Sequence, residues 1–244
     1  MPNSDRGWLD IGPGVRGFWV APEGDTARPA VIVFMEAFGV DASVEEQCQR
    51  LARLGYFALA PDFYHGERFT REQVDQALEK LRTLKDDDVM TDTGKALAIL
   101  RTHRRVDASR IAVLGMCMGG RHAFLANSVH AAQLKAAVCF YGGGIAPVQD
   151  RFGRAPLLDR IGSMRAPILL VYGAEDASIQ PDEHARIASA LSTARHRYTL
   201  SVYPGVGHAF LNAHRPGYRT EVADAAWRET EAFLGATVSR HSGI

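Results

Sequence analysis

The chain has 244 residues, 46% of them hydrophobic and 23% charged, the make-up of an ordinary globular protein long enough for one large domain or two small ones. Its 28 basic and 28 acidic side chains cancel to a formal net charge of zero, so nothing in its charge calls for a nucleic-acid partner or an anionic membrane surface. No apolar run reaches membrane-spanning length, and the opening Met1-Pro-Asn-Ser-Asp-Arg6 lacks a basic-then-apolar leader pattern. The cysteines, Cys48, Cys117 and Cys139, are odd in number and show no paired spacing, which argues against a disulfide framework and for a reducing compartment. The expectation is a cytoplasmic enzyme, monomeric and acting on a small molecule.

Residues Gly17–Ala21 read as a short early strand closed by a Pro22-Glu-Gly turn. Ala30–Met35 is a β-branched apolar run, as in a strand buried on both faces, and it ends in Glu36-Ala-Phe-Gly39. Asp41 and Ser43 offer N-caps to a helix that runs to about Leu54 and stops at Gly55. Phe57–Ala60 is a further buried strand, followed by the aromatic, polar loop Pro61-Asp-Phe-Tyr-His-Gly66. Thr70 caps a helix reaching about Leu84, with Val74, Ala77, Leu78 and Leu81 at helical spacing. Asp86-Asp-Asp88 opens the next helix, to about His103. Three acids at a helix N-terminus suit the macrodipole and read as caps rather than as a metal site.

The most informative stretch is Ile111-Ala-Val-Leu-Gly-Met-Cys-Met-Gly-Gly120. A strand runs into a sharp turn with a thiol at its apex, and a helix follows from Arg121 to about Val129. This is the G-x-C-x-G-G form of a nucleophile elbow, with cysteine where serine is commoner. A helix start behind Cys117 directs N–H groups and positive dipole at the sulfur, which favours thiolate. The plainer alternative is a buried core cysteine beside helix-packing glycines. Further strands follow at Lys135–Tyr141, Ile168–Tyr172 and Arg197–Tyr203, with helices from Pro181 to about Leu191 and from Glu221 to about Leu234. Residues 145–165 are loop-rich.

Strand and helix alternate throughout, and the strands are apolar rather than alternating. That predicts one α/β domain over 1–244, its core about 17–234, with a mainly parallel sheet covered by helices on both faces. Sites in such sheets form at the carboxyl ends of strands. Glu36, Cys117, Asp176 and His208 each fall just past a predicted strand. The order nucleophile, acid, histidine is that of the α/β-hydrolase fold. His208 would take the Cys117 proton, and Asp176 would orient the imidazole and stabilise its charged form. An oxyanion hole would use the N–H of Met118, next after the nucleophile, and that of Ala37 in the loop after the early strand. His65 is a weak candidate for substrate contact, whereas His130, His196 and His241 fall in surface regions.

On Glu36-Ala-Phe-Gly-Val40, Gly55-Tyr56, Pro61-Asp-Phe-Tyr64, Gly115-Met-Cys-Met-Gly-Gly120, Phe140-Tyr-Gly142, Gly173-Ala-Glu-Asp176 and Gly207-His208, the chain resembles the dienelactone hydrolases, the carboxymethylenebutenolidases. The resemblance implies a Cys117–His208–Asp176 triad that opens a cyclic enol ester through an acyl-enzyme, with no cofactor and no metal. It also implies that Glu36 contacts the resting thiol and accepts its proton once substrate binds. Members that take dienelactone hold its carboxylate with a serine just after the histidine and an arginine three residues further on. Here those positions are Ala209 and Asn212, so a less acidic lactone or ester is the expectation. His214 and Arg215 could supply charge from a shifted position, against the plainer reading of an exposed loop pair. Arg71, with Arg68 as runner-up, matches a further family arginine, and Tyr64 and Tyr141 are candidate pocket walls. A thioesterase or other carboxylesterase, an acyl transferase, a non-catalytic ligand binder on the same scaffold, and a thiol redox sensor using Cys139 are the competing readings.

Overall fold

The computed structural model describes residues 4–238. His241 lies outside them. Within them eight strands form one sheet. In chain order these are β1 (Ser4–Gly12), β2 (Val15–Pro22), β3 (Arg28–Phe34), β4 (Phe57–Pro61), β5 (Val106–Met116), β6 (Ala136–Phe140), β7 (Ile168–Gly173) and β8 (Tyr198–Tyr203). The spatial order is β1-β2-β4-β3-β5-β6-β7-β8, with β1 and β2 antiparallel and β3 to β8 parallel. The helices are α1 (Ala42–Arg53), α2 (Val74–Thr83), α3 (Asp86–Thr102), α4 (Met118–Val129), α5 (Pro181–Thr193) and α6 (Thr220–Val238).

Strands β4, β6 and β7 are apolar and buried along their length, and β3 and β5 become so from Ala30 and Ile111 onward, because helices cover both faces. On one face α1 and α6 meet at Arg50, which lies over the Trp227 ring at 4.7 Å and within 4 Å of Asp224 and Glu231. On the other, α3 and α4 pack together over β5. Asp41 caps α1 through its side chain, accepting from the Val44 N–H at 3.1 Å, as its position before the helix predicts. Thr70 forms a capping box with Gln73 over a single 3-10 turn, Arg71–Gln73, that leads into α2.

Strand β1 has no counterpart in the expected layout. It is an edge strand whose residues alternate between exposed and half-buried, with charged side chains outward, so its hydrophobic signal is weak. Its hairpin with β2 extends the early strand to Val15–Pro22. Strand β8, at the other edge, also alternates rather than running apolar.

The three acids that open α3 are not equivalent. Asp86 leaves the helix terminus and accepts from Arg121 of α4, Nη2 to Oδ2 at 2.6 Å. No helix in the described residues is long and apolar enough to cross a membrane.

Candidate active site

The sharp turn between β5 and α4 positions Cys117. Its backbone sits at φ 56°, ψ −121°, in a region that an L-residue enters only under constraint. The constraint comes from both sides. The Cys117 N–H donates to Phe140 O at 3.0 Å, locking the turn to the end of β6. A Cβ on Gly115 would lie 2.0 Å from Gly119 O, and one on Gly119 would lie 2.4 Å from Phe34 O. Only hydrogen at these two positions lets the turn close against its own helix and against β3. The thiol is left half-exposed, facing a cavity of about 360 Å³, while Cys48 and Cys139 are buried. None of the three is in a disulfide. Burial pushes the thiols of Cys48 and Cys139 well above the usual cysteine range.

His208 follows β8 and Asp176 follows β7. Their side chains meet, Nδ1 to Oδ2, at 2.7 Å. Asp176 is buried and its other oxygen accepts from the Ser178 N–H at 2.8 Å, which fixes the carboxylate. With Nδ1 committed to Asp176, Nε2 of the same ring is free for the sulfur. Burial works against a charged His208, but the adjacent Cys117 sulfur and the Asp176 carboxylate outweigh it and hold the imidazole pKa well above the usual histidine range. Ala37 and Met118 border the same cavity as Cys117 and His208. Met118 opens α4, where N–H groups have no partner earlier in the helix.

Glu36 is buried at the floor of the cavity. Its oxygens accept from Tyr141 OH at 3.3 Å and from Asn212 Nδ2 at 3.4 Å. Burial, with the Asp41 carboxylate adding to it, raises the Glu36 pKa above the usual carboxyl range, against the pull of His208, Arg71 and Arg215. The hydrogen bonds of Glu36 thus run to Tyr141 and Asn212, where the resemblance puts the resting thiol. Asn212 is 1% exposed and serves this carboxylate, a role its position in the sequence does not announce.

The aromatic and basic candidates fall behind the wall rather than in it. Tyr141, at φ 37°, stands edge-on to the His208 ring at 5.2 Å and links it to Glu36. Tyr64 is fully buried with a hydroxyl that finds no hydrogen-bond partner among the described residues. Arg71 pairs with Asp41 at 3.4 Å and lies 4.1 Å over the Phe38 ring, so it stiffens a wall residue without touching the cavity. Arg68 pairs with Glu45 on the surface. His65 hydrogen-bonds Gly14 O at 2.8 Å and braces the β1–β2 turn instead of the site. His130 and His196 each hold a backbone carbonyl at 2.9 Å. Of the His214–Arg215 pair, His214 is exposed and binds Glu46, but Arg215 reaches the cavity, where its charge acts on Glu36 and Tyr141.

The opposite rim is held by Glu183 at the start of α5. Its Oε1 accepts from the Ala146 N–H at 3.0 Å, pinning the loop after β6 that carries Gly143, Gly144 and Phe152 to the cavity.

A mostly parallel sheet with its strands in this order, an elbow after β5 and an acid–histidine pair after β7 and β8 define an α/β-hydrolase. Comparison with known proteins narrows the class. Residues 15–238 match the dienelactone hydrolase family. A protein of Methylorubrum extorquens named "Putative carboxymethylenebutenolidase" is 34% identical over 209 residues, 84% of this chain and 71% of that one. A Bradyrhizobium protein named "Probable 2-oxo-3-(5-oxofuran-2-ylidene)propanoate lactonase" is 33% identical over 236 residues, 93% of this chain and 92% of its own. The crystal structure of a "Putative Dienelactone Hydrolase" from Klebsiella pneumoniae superposes with a TM-score of 0.85 at 30% identity, covering 96% of this chain and 99% of the other. The chain belongs to the dienelactone hydrolase family, and it is a hydrolase of that type.

Proposed function

We propose that the protein opens a lactone or cleaves a related ester through a thioester on Cys117, with His208 and Asp176 completing a triad. The observation that carries this reading is the 2.7 Å bond between His208 Nδ1 and Asp176 Oδ2 at the rim where the elbow presents Cys117. The thiol proton passes to His208 Nε2 as sulfur attacks the carbonyl carbon. Negative charge develops on the carbonyl oxygen, and the N–H groups of Ala37 and Met118 are the donors at hand for it. The carbon–oxygen bond breaks and His208 returns its proton to the leaving oxygen. In a lactone that oxygen stays tethered to the acyl group. Water, deprotonated by His208, then attacks the thioester, the carbon–sulfur bond breaks, and the carboxylate leaves.

Glu36 acts beside this triad. A carboxyl whose pKa burial raises, held by Tyr141 and Asn212 at the cavity floor, can take and return a proton. Glu36→Gln is expected to lower kcat/KM about 10²-fold. It should also change stability in a pH-dependent way. A carboxyl whose folded pKa is raised contributes stability that is complete below its unfolded value, near about 4.3, and is lost as pH rises through the folded value. The amide has no such loss. In chemical denaturation the variant should therefore gain on the parent as pH is raised from about 4 to about 8. A difference that does not change with pH would show that Glu36 has no raised folded pKa.

The Ala209 and Asn212 positions offer no cation, but Arg215 does, and among the described residues no carboxylate lies within 4 Å of it. This supports a substrate with an anionic group on the side of its leaving oxygen, as in the lactone that names the Bradyrhizobium relative. The test is a set of matched lactones with and without a carboxylate, assayed on the parent and on Arg215→Gln. The parent should favour the carboxylated member by about tenfold or more, and the variant should lose most of that ratio. Equal rates on both members in the parent would remove Arg215 from substrate recognition.

A further inference from the structure

The apolar stripe on α2 packs on the core only in part: Ala77 and Leu81 are buried in it, while Leu78 is half-buried and Val74 exposed. Val74, Ala77, Leu78 and Leu81 all border the cavity beside Cys117. A helix ordinarily stays in place by burying such a stripe against the sheet. Here the outer half of the stripe, Val74 and Leu78, is left to the wall of a binding space.

The facing wall is mixed, with Met118 and Phe152 beside Gln149, Asp150 and Arg151. The side chain of Arg154 gathers Met118 and Phe152 with Leu81. Its guanidinium donates to Leu81 O at 2.7 Å and to Met118 Sδ at 2.9 Å, and it lies 5.1 Å from the Phe152 ring centroid. Arg154 itself does not border the cavity, and its donors are turned to protein atoms. Glu36, His208 and Arg215 form one electrostatic group, and Asp150, Arg151 and Glu183 are the other charged side chains that border the cavity. The stretch lined by α2, Met118 and Phe152 is the most apolar part of the cavity.

We propose that the end between α2 and Phe152 is a chamber for the acyl part of the substrate. The substrate would be an ester or lactone whose acyl side carries an apolar segment of several carbons or an aromatic ring. This rests on the hydrolase reading, because that reading fixes the direction. The leaving oxygen must face His208 to receive its proton, so the acyl carbon chain extends the other way, over Met118 toward Leu78 and Val74. Val74 is 40% exposed without a ligand, and an acyl chain laid along the stripe would cover it.

The test is a series of 4-nitrophenyl esters from acetate to octanoate, with binding of the unreactive acetanilide and hexananilide to Cys117→Ala measured by calorimetry. Each buried methylene should raise kcat/KM up to about fourfold, giving a gain of at least about 20-fold from acetate to hexanoate. Hexananilide should bind at least about 20-fold more tightly than acetanilide. In Val74→Asn/Leu78→Asn, both on a partly exposed helix face, the hexanoate-to-acetate ratio should fall by about tenfold or more with the far-UV spectrum unchanged. Should that variant misfold, Leu78→Ala serves instead, and the ratio should fall by about threefold or more as the acyl chain loses its contact. A flat ester series together with equal anilide affinities overturns the chamber. If the chain-length preference persists in the folded double variant, the chamber lies elsewhere and this placement is wrong. Should Cys117→Ala still hydrolyse the esters, the thioester mechanism fails, while the anilide comparison continues to test the chamber alone.

Discussion

Replacing Cys117 by alanine is expected to lower kcat/KM on a short aryl ester by at least about 10³-fold, while the free energy of unfolding changes by less than about 1 kcal/mol. The loss is large because the sulfur is the atom that forms the covalent bond, and the rest of the site can only orient and polarise. The stability change is small because the side chain is half-exposed at a turn whose strained backbone is held by its neighbours, the Phe140 carbonyl and the packed glycines. The controls are Cys48→Ala and Cys139→Ala. Both side chains are fully buried, in α1 and in β6, with thiols that burial keeps protonated. Each should cost about 1–2 kcal/mol of stability through the void it leaves, and each should keep parental kcat/KM. A Cys139→Ala variant as inactive as Cys117→Ala would point to a paired-thiol chemistry instead.

The largest stability effect is expected away from the reacting atoms, at Arg121. This side chain is 1% exposed and comes from the first turn of α4, directly behind the elbow. It donates to Asp86 Oδ2 at 2.6 Å, to Ala155 O at 3.0 Å and to Gly144 O. One guanidinium therefore ties the elbow helix to the start of α3 and to both ends of the loop that forms the far wall of the cavity. Burial works against the Asp86 carboxylate, but the neighbouring His122 and Arg121 overcome it and hold its pKa well below the usual range. Burial also keeps His122 below the usual histidine range, so the cation in the pair is Arg121. Arg121→Met should cost about 3 kcal/mol, the low end for breaking a buried pair, because Asp86 keeps some contact with solvent. The double variant Asp86→Asn/Arg121→Met should recover part of that loss, since no charge is then stranded. The pH dependence has a definite sign. A carboxylate with a depressed folded pKa contributes stability that is present above its unfolded value, near about 3.9, and lost as pH falls through the folded one. The parent should thus lose this contribution below about pH 4, and Asp86→Asn should not. Equal unfolding free energies for parent and Arg121→Met at neutral pH would show the pair to be dispensable.

Much of the site was legible in the sequence because the chemistry and the fold point to the same residues. Cys117 is marked by the glycines that its turn requires, and those glycines are visible as letters. Asp176 follows an apolar run that reads as a buried parallel strand, and His208 follows the next strand of the strand–helix alternation, so their place at one rim follows from the topology. Other features leave no such mark. Strand β1 is an edge whose alternation is masked by Asp5, Arg6 and Asp10. The bond from Asn212 to Glu36 spans 176 positions, and a single amide in a loop gives no sign of it. Asp86 reads as a helix cap, because the macrodipole accounts for it, and only the packing of α3 on α4 reveals Arg121 as its partner. The stripe on α2 shows the limit most clearly. Helical spacing tells which face is apolar, but not whether that face meets a core or a cavity.

The account turns on whether a covalent bond forms at one sulfur. A slowly hydrolysed aryl ester, mixed with the protein and quenched in acid within the first turnover, allows this to be read by intact mass and peptide mapping. The account predicts one added acyl mass per chain, located on Cys117 and absent from the alanine variant. Turnover that proceeds with no adduct at Cys117, or with the acyl group on another side chain, would contradict it.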